Sequence, residues 1–217
     1  MSLKLVIKIC CIMSREEALL AIRQGASAIG LVSEMPSGPG VISENEIAQI
    51  AAAVPKDIDT FLLTSKQNVE SIITQHEKCK TTTLQLVDDL LVGAHADLKK
   101  ELPDVKIVQV IHVVDNESVE KAIRVSKEVD ALLLDSGNQS LDVKELGGTG
   151  RTHNWELSKQ IVEQVKVPVY LAGGINRGNI KEAYEKVHPF GIDLCSGVRT
   201  NNKLDEEKLK QLFTAIN

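Results

Sequence analysis

The sequence has no long apolar run, no basic tract and few cysteines. No segment approaches the roughly 20 apolar residues that a membrane-spanning helix needs, and the first residues lack the apolar stretch of a signal peptide. The net charge is −5, which argues against nucleic acid or an anionic membrane as a partner. Four cysteines in 217 residues, two of them adjacent, do not make a disulfide framework. These absences predict a protein of the reducing cytoplasm.

The residues that are present are typical of a globular protein. The chain is 43% hydrophobic and 25% charged, which is enough to build a core without disulfide staples. Short β-branched and aliphatic runs recur at even spacing, and continuous apolar runs are typical of parallel strands buried on both faces. Eight strands are predicted, at residues 5–10, 26–32, 58–63, 82–86, 105–111, 129–134, 167–171 and 190–195.

Amphipathic helices are predicted between these strands. Two of them begin with the capping-box pattern, Ser14 with Glu17 and Ser43 with Glu46, in which each side chain accepts a hydrogen bond from the other residue's backbone. The predicted helices are residues 14–24, 43–53, 115–127, 155–165, 177–186 and 205–216, with a weaker one at 90–100.

The alternation of strands and helices predicts an α/β protein, a single (β/α)8 TIM barrel that spans residues 1–217 as one domain. A doubly wound open sheet is the alternative. The barrel is favoured because the units are evenly spaced, the last strand resembles the interior ones and a helix closes the chain. In a barrel, chemistry collects at the C-terminal ends of the strands, and polar residues, reactive residues or glycines occupy nearly all of those ends here.

A thiol ends the first strand. Cys10 follows an apolar run, and Lys8 projects from the same face of the strand. A cation there favours the thiolate, the form in which a cysteine acts as a base. The alternative is a buried structural cysteine. No metal site is predicted, because no CxxC or HxxxH cluster accompanies Cys10 and Cys11.

A carboxylate ends the sixth strand. Asp135 follows Leu132, Leu133 and Leu134, so it is expected to face the barrel mouth among apolar neighbours. Partial burial raises the pKa of a carboxyl group and suits it to general-acid work. A helix N-cap or a solvated loop carboxylate is the alternative.

Glycines follow the last two strands. Gly173 and Gly174 come after strand seven, and Ser196 and Gly197 come after strand eight. Glycines let backbone N–H groups approach an anion closely, and these two loops are the usual phosphate site of a barrel. The sequence therefore predicts phosphate binding; the alternative is that the glycines only permit tight turns.

A further glycine-rich segment, residues 147–152, lies in the long loop after strand six. It lacks the GxxxxGK[ST] spacing of a nucleotide-binding loop. A lid that closes over a substrate is one interpretation, and a flexible linker is the other.

Five segments at these positions together resemble one family. They are Lys-Ile-Cys-Cys at residues 8–11, Asp-Ala-Leu-Leu-Leu-Asp-Ser at 130–136, Gly-Gly-Thr-Gly-Arg-Thr-His-Asn-Trp at 147–155, Leu-Ala-Gly-Gly-Ile at 171–175 and Gly-Ile-Asp-Leu-Cys-Ser-Gly-Val at 191–198. In order and at these strands, they resemble the phosphoribosylanthranilate isomerase family of tryptophan biosynthesis, over the whole chain.

The resemblance implies an Amadori rearrangement of N-(5-phosphoribosyl)anthranilate to 1-(2-carboxyphenylamino)-1-deoxyribulose 5-phosphate. Asp135 would act as the acid that opens the sugar ring, and Cys10 as the base that takes the C2 proton. No cofactor or metal is implied, because the substrate nitrogen serves as the electron sink. The partner is then a small phosphorylated sugar, and the sequence leaves monomer and homodimer both open. The substrate- and phosphate-binding residues expected from these patterns are Lys8, Gln85, Gly148, Gly173, Gly174, Asp193, Ser196 and Gly197.

The chain departs from the family pattern on the anthranilate side. Gly40 stands where the family has the arginine that holds the anthranilate carboxylate, Val87 replaces a histidine, and Cys11 replaces a glycine. Loss of a buried ion pair of this kind costs about 2–5 kcal/mol, unless a cation from another loop substitutes. The candidates are Arg151, Arg177 and Arg199.

Three functional hypotheses follow. The first and preferred one is the isomerase itself. The second is a paralogous isomerase that acts on another phosphorylated sugar or aminosugar, which would explain the altered anthranilate side. The third is a non-catalytic binder of a phosphorylated ligand, which would tolerate loss of Cys10 or Asp135 although both are present.

Overall fold

The computed structural model describes residues 5–137, 144–148 and 150–216. Eight parallel strands form a closed barrel in chain order, with the eighth strand paired to the first. This closure confirms the predicted barrel and excludes the open sheet. The strands are β1 (Val6–Ile9), β2 (Ala28–Val32), β3 (Asp59–Thr64), β4 (Thr83–Leu86), β5 (Lys106–His112), β6 (Ala131–Asp135), β7 (Val169–Leu171) and β8 (Gly191–Leu194).

Eight helices of the described residues surround the barrel. They are α1 (Arg15–Gln24), α2 (Glu44–Ala53), α3 (Val69–Cys79), α4 (His95–Glu101), α5 (Asn116–Val125), α6 (Trp155–Gln164), α7 (Ile180–Val187) and α8 (Glu206–Ile216). After β8 come a short 3₁₀ turn (Ser196–Val198) and a small hairpin of β9 (Arg199–Thr200) and β10 (Lys203–Leu204). Across the described ranges, every helix is too short or too polar to cross a membrane.

Helix α3 was not predicted. Its sequence is rich in polar residues, and two of them, Gln75 and His76, lie on the buried face, so the apolar stripe is incomplete. The helix begins at Asn68, whose side chain accepts the Ser71 N–H. His76 is satisfied by the Thr81 carbonyl oxygen at 2.7 Å. Tertiary packing therefore supplies what the hydrophobic period does not show.

Strand alternation separates two layers of core. In β1, Ile7 and Ile9 belong to the layer between the strands and the helices, whereas Lys8 lies on the opposite face. The inner layer fills the barrel with side chains such as Phe61, Leu133 and Tyr170. Such a filled interior is typical of the fold, and it forms the floor on which the site is built.

A glycine in β2 makes room for the functional end of β1. A Cβ on Gly30 would lie 2.7 Å from the Cys10 sulfur and 3.1 Å from Lys8 Nζ. Lys8 Nζ also lies 5.0 Å from the centre of the Phe61 ring, a distance at which the ring face attracts a cation. The barrel interior thus accommodates one long charged side chain.

Candidate active site

An ion pair lies beneath the barrel mouth. Lys8 on β1 and Asp193 on β8 are opposite each other in the strand register, and Lys8 Nζ lies 2.9 Å from Asp193 Oδ1. Lys8 is fully buried. Burial lowers the pKa of Lys8, but attraction to Asp193 and to the thiols of Cys10 and Cys11 outweighs burial and raises it. Lys8 is therefore a permanent cation under the site.

Cys10 is the first residue beyond β1, and its backbone N–H donates to the Leu194 carbonyl oxygen at 2.7 Å. Its side chain is buried. The pKa of the Cys10 thiol is lowered, because a hydrogen bond with the Cys11 thiol, reinforced by the charge of Lys8, outweighs burial. This is the environment that a thiolate base requires.

Asp135 is the last residue of β6 and is buried. Burial raises the pKa of its carboxyl group to about 6, against the lowering effect of the Ser136 N–H, which donates to Asp135 Oδ1 at 2.7 Å. A Cβ on Gly147 would lie 2.6 Å from Asp135 Oδ2. The loop after β6 therefore covers the carboxyl group closely because it has no side chain at residue 147.

A single cavity at the strand ends brings most of the predicted site residues together. It holds about 650 Å³ of empty space, a figure that includes open solvent at the mouth. Two predicted residues lie outside the lining: Lys8 is beneath the floor, and Gly197 is packed behind the wall. The predicted residues that line the cavity are Cys10, Gln85, Asp135, Gly148, Gly173, Gly174, Asp193 and Ser196.

The glycine edge of this cavity is formed by the loops after β7 and β8. Gly173 and Gly174 both have left-handed backbone conformations, with φ of 79° and 62°, which favour glycine. The side chains of Asn176 and Asn179 each donate to the Gly174 carbonyl oxygen at 3.1 Å and fix the turn. A Cβ on Gly197 would collide with the Ile175 carbonyl oxygen, so Gly197 allows the two loops to approach.

Two loops meet across the mouth. The Ser37 hydroxyl donates to the Lys144 carbonyl oxygen at 2.6 Å, and a Cβ on Gly148 would lie 2.6 Å from Pro39 Cδ. The predicted lid thus rests on the loop after β2 at Gly148, although its residue 149 lies outside the described residues. The apolar part of the cavity wall includes Val32, Met35, Leu63 and Leu146.

The model of the N-(5'phosphoribosyl)anthranilate (PRA) isomerase family matches residues 7–215. The chain belongs to this family. The match includes every residue that lines the cavity and all of the eight strands except Val6, and it confirms the resemblance seen in the sequence.

Relatives and solved structures agree with this assignment over the whole chain. The chain is 35% identical over 211 residues to an N-(5'-phosphoribosyl)anthranilate isomerase of Microcystis aeruginosa, which covers 97% of the chain and 96% of the relative. It is 33% identical over 202 residues to isomerase 2 of Methanosarcina mazei, at 93% and 88% coverage. A solved Thermococcus kodakaraensis phosphoribosyl anthranilate isomerase superimposes with a TM-score of 0.80 at 25% identity, covering 97% of this chain and 98% of that one. These findings favour the isomerase over the paralogue and the non-catalytic binder.

The glycine at residue 40, where the isomerase family pattern has arginine, is explained by Cys11. A Cβ on Gly40 would lie 2.6 Å from Cys11 Cβ and 2.9 Å from Cys11 Cα. Gly40 and Cys11 also both have left-handed conformations, with φ of 79° and 60°. A Cβ at residue 40 would collide with the Cys11 side chain as well as with its backbone, so the two departures from the family pattern are in direct contact.

We expect this coupling to appear in a double-mutant cycle. Gly40→Ala should lower the free energy of unfolding by about 2 kcal/mol, because alanine is strained in this left-handed backbone conformation and its Cβ collides with Cys11. In a Cys11→Gly background the loss should be smaller by about 1 kcal/mol, because the 2.6 Å contact is gone while the 2.9 Å contact remains. Urea denaturation of the four proteins measures both values. Strictly additive losses would contradict the coupling.

The three arginines considered as replacements lie in different places. Arg177 donates to Gln211 on α8, and Arg199 pairs with Glu17 beneath the β1 turn, so neither faces the cavity wall. Arg151 is exposed, pairs with Glu145, and directly follows Gly150, which lines the cavity. Of these three arginines, Arg151 is the one that lies on a loop at the cavity mouth.

Arg199 and Glu17 form a clamp that sequence reasoning missed. Arg199 donates to both Glu17 carboxylate oxygens, at 3.1 and 3.0 Å, and to the carbonyl oxygens of Cys10 and Cys11. The capping box predicted at Ser14 is half correct. The Ser14 hydroxyl accepts the Glu17 N–H, but the Glu17 carboxylate accepts the Met13 N–H and not that of Ser14. A buried arginine near the end of the barrel carries no local sequence signal, because its partner is 182 residues away.

Proposed function

We propose that this protein catalyses the Amadori rearrangement of N-(5-phosphoribosyl)anthranilate, with Asp135 as general acid and Cys10 as general base. The observation that carries the proposal is that both groups line one cavity from different strands, with the pKa of the acid raised and that of the base lowered. Two titratable groups whose pKa values are shifted in opposite directions in this way are typical of a catalytic acid and base.

The acid opens the sugar ring. Protonated Asp135 donates its proton to the furanose ring oxygen while the C1–O bond breaks and the nitrogen lone pair forms the imine. Because its pKa is about 6, Asp135 is close enough to neutral pH to be partly protonated there. The cover provided by Gly147 keeps bulk water from the carboxyl group, which maintains that raised pKa.

The base completes the isomerisation. The Cys10 thiolate takes the C2 proton and gives an enol-amine, which tautomerises to the ketone as a proton moves from O2 to C1. Exchange with solvent returns Asp135 and Cys10 to their starting forms. Lys8 supports this step electrostatically from below, and Asp193 holds Lys8 in place.

The remaining groups orient the substrate. Gly173, Gly174 and Ser196, supported by Gly197, receive the phosphate at the glycine edge. Gln85 supports substrate binding as well: its Oε1 is buried and has no hydrogen-bond partner within the described part of the chain, and it lines the cavity. A buried acceptor of this kind suits a sugar hydroxyl donor.

The aromatic ring lies on the apolar wall beneath the mouth loops, where Gly148 covers it. Its carboxylate lies beside Arg151 in place of the family arginine. The ion pair of Arg151 with Glu145 lies at the surface, and exposed pairs contribute little, so breaking this pair in favour of the substrate carboxylate costs little.

The other expectations fit the same activity. A reducing compartment keeps thiols such as Cys10 free, which supports the cytoplasmic location. The barrel, with its two core layers, supports one domain over residues 1–217. A small phosphorylated sugar is the partner that this cavity suits.

Turnover of N-(5-phosphoribosyl)anthranilate by the pure protein tests the proposal. We expect measurable conversion to the ribulose product and rescue of a tryptophan auxotroph that lacks this step. Absence of turnover by well-folded wild-type protein would overturn the proposal. In the same assay Arg151→Ala should raise KM by roughly tenfold, the loss of one partly exposed ion pair of about 1.4 kcal/mol, whereas the matched control Arg177→Ala should not. Equal KM values for the two variants would contradict the role of Arg151 but would leave the proposed isomerase activity intact.

A further inference from the structure

Three of the four cysteines meet at the barrel mouth. Cys10 and Cys11 follow β1, and Cys195 follows β8, the strand paired with β1. The Cys11 and Cys195 sulfur atoms lie 2.6 Å apart, and both cysteines are free thiols. The fourth, Cys79, lies at the end of α3, outside the barrel. The isomerisation uses Cys10 as its base and Cys11 as the thiol that lowers the Cys10 pKa, so Cys195 has no assigned role.

We propose that Cys11 and Cys195 are an oxidation site: an oxidant of the peroxide class converts them to a disulfide that reversibly switches off the neighbouring base. This inference rests on the proposed function for its effect on activity, but not for the bond itself. A disulfide has an S–S distance of about 2.05 Å, so the two sulfurs need to close by only about half an ångström.

Both sulfurs are reachable from the cavity. Cys195 and Cys11 line it, and Cys195 is only half-buried, so a small peroxide can reach its sulfur through the mouth. Arg199 lies directly behind the pair and holds the Cys11 carbonyl oxygen. Access therefore favours Cys195 as the first of the two thiols to react with peroxide.

The oxidation balances as two steps. The Cys195 thiolate attacks the peroxide O–O bond, giving a sulfenic acid and releasing hydroxide. The Cys11 thiol then attacks that sulfur, forms the S–S bond and releases water. The two sulfurs lose two electrons, which reduce one hydrogen peroxide. A dithiol such as dithiothreitol reverses the reaction by exchange.

The disulfide acts on the base through a lost hydrogen bond. In the reduced protein, the Cys11 thiol interacts with Cys10 and is the largest cause that lowers the Cys10 pKa. A disulfide has no S–H to donate. The Cys10 thiolate then keeps only Lys8 as support, so a smaller fraction of the base is active at neutral pH.

Peptide mapping after peroxide treatment tests the site. The protein is treated with hydrogen peroxide, alkylated and digested with trypsin, and the cross-link between residues 9–15 and residues 187–199 is sought by mass spectrometry. Because Cys10 and Cys11 share the first peptide, fragmentation assigns the bonded sulfur. We expect a Cys11–Cys195 bond, a loss of activity of roughly tenfold or more, and recovery of both with dithiothreitol.

Matched variants distinguish inactivation by the Cys11–Cys195 disulfide from general oxidative damage. Cys195→Ser and Cys11→Gly should form no cross-link and should keep most of their own untreated activity at the same dose. Cys79→Ser should respond like the wild type. Absence of the cross-link in the wild type, or equal inactivation of Cys195→Ser, would overturn the proposal. A cross-link formed in a protein with no isomerase turnover would leave the oxidation site standing and reject the proposed function instead.

Discussion

Replacing Cys10 by serine should lower kcat about 10²- to 10⁴-fold with little change in KM. A serine hydroxyl fits the space of the thiol but is not ionised near neutral pH, so the base is lost while the cavity is kept. A well-placed general base contributes a factor of this size, and a loss in kcat alone is the signature of a group that acts in the transition state. Steady-state kinetics with N-(5-phosphoribosyl)anthranilate measures both constants.

Cys79→Ser is the matched control for this substitution. Cys79 is a buried cysteine outside the barrel, and its pKa is raised to about 11 by burial and by Glu44, so it has no thiolate to lose. We expect wild-type kinetics for it. If Cys10→Ser kept near-wild-type kcat, Cys10 would be a structural cysteine and the base would have to be sought elsewhere in the cavity.

The parts of the site that were predictable from sequence are those encoded by local pattern. Asp135 ends an apolar strand and Cys10 directly follows one, and the barrel topology fixes where strand ends lie. The same reasoning located Gly173 and Gly174. Alternation along β1 further predicts that Lys8 and Cys10 share a face, and they do share the barrel interior.

The parts that were not predictable depend on contacts between distant segments. Cys195 ends strand eight, but no sequence pattern says that its sulfur meets that of Cys11, 184 residues away. In the sequence, the replacement of arginine by Gly40 is only a loss, whereas in the structure Cys11 occupies the space that a side chain at residue 40 would need. These residues became interpretable through packing, because each one permits or excludes a specific neighbour.

The electrostatic design of the site follows from what is buried. Lys8 is surrounded by protein and pairs with Asp193, and removing one partner of a buried pair costs several kcal/mol. Cys10 gains from this arrangement because a buried cation acts at low dielectric and is little screened by salt. The effect on Asp135 is the opposite. Its carboxyl group is buried without a strong cation partner, so the protonated form is favoured.

Asp135→Asn should abolish most turnover and yet stabilise the fold at neutral pH. The amide cannot donate a proton to the ring oxygen with the ease of a carboxyl group, so kcat should fall about 10²- to 10⁴-fold. The amide oxygen can still accept the Ser136 N–H that Asp135 Oδ1 accepts. Opposite effects on activity and stability are typical of a residue whose environment serves catalysis.

The stability gain should depend on pH in a defined direction. The pKa of Asp135 is raised to about 6 in the folded protein, above the value near 4 of an unfolded chain. The native state therefore binds the proton more tightly, and the charged carboxylate destabilises it above pH 6 by on the order of 2 kcal/mol. That penalty diminishes as the pH falls from about 6 to 4 and is absent below both pKa values.

Urea denaturation of wild type and Asp135→Asn across this range isolates the effect, because all other groups cancel in the difference. The variant should exceed the wild type in free energy of unfolding at pH 7, and its advantage should shrink toward pH 4. A pH-independent difference would mean that the Asp135 carboxyl group titrates normally. It would then be fully ionised at neutral pH, and an acid with so little of its protonated form could not open the sugar ring efficiently.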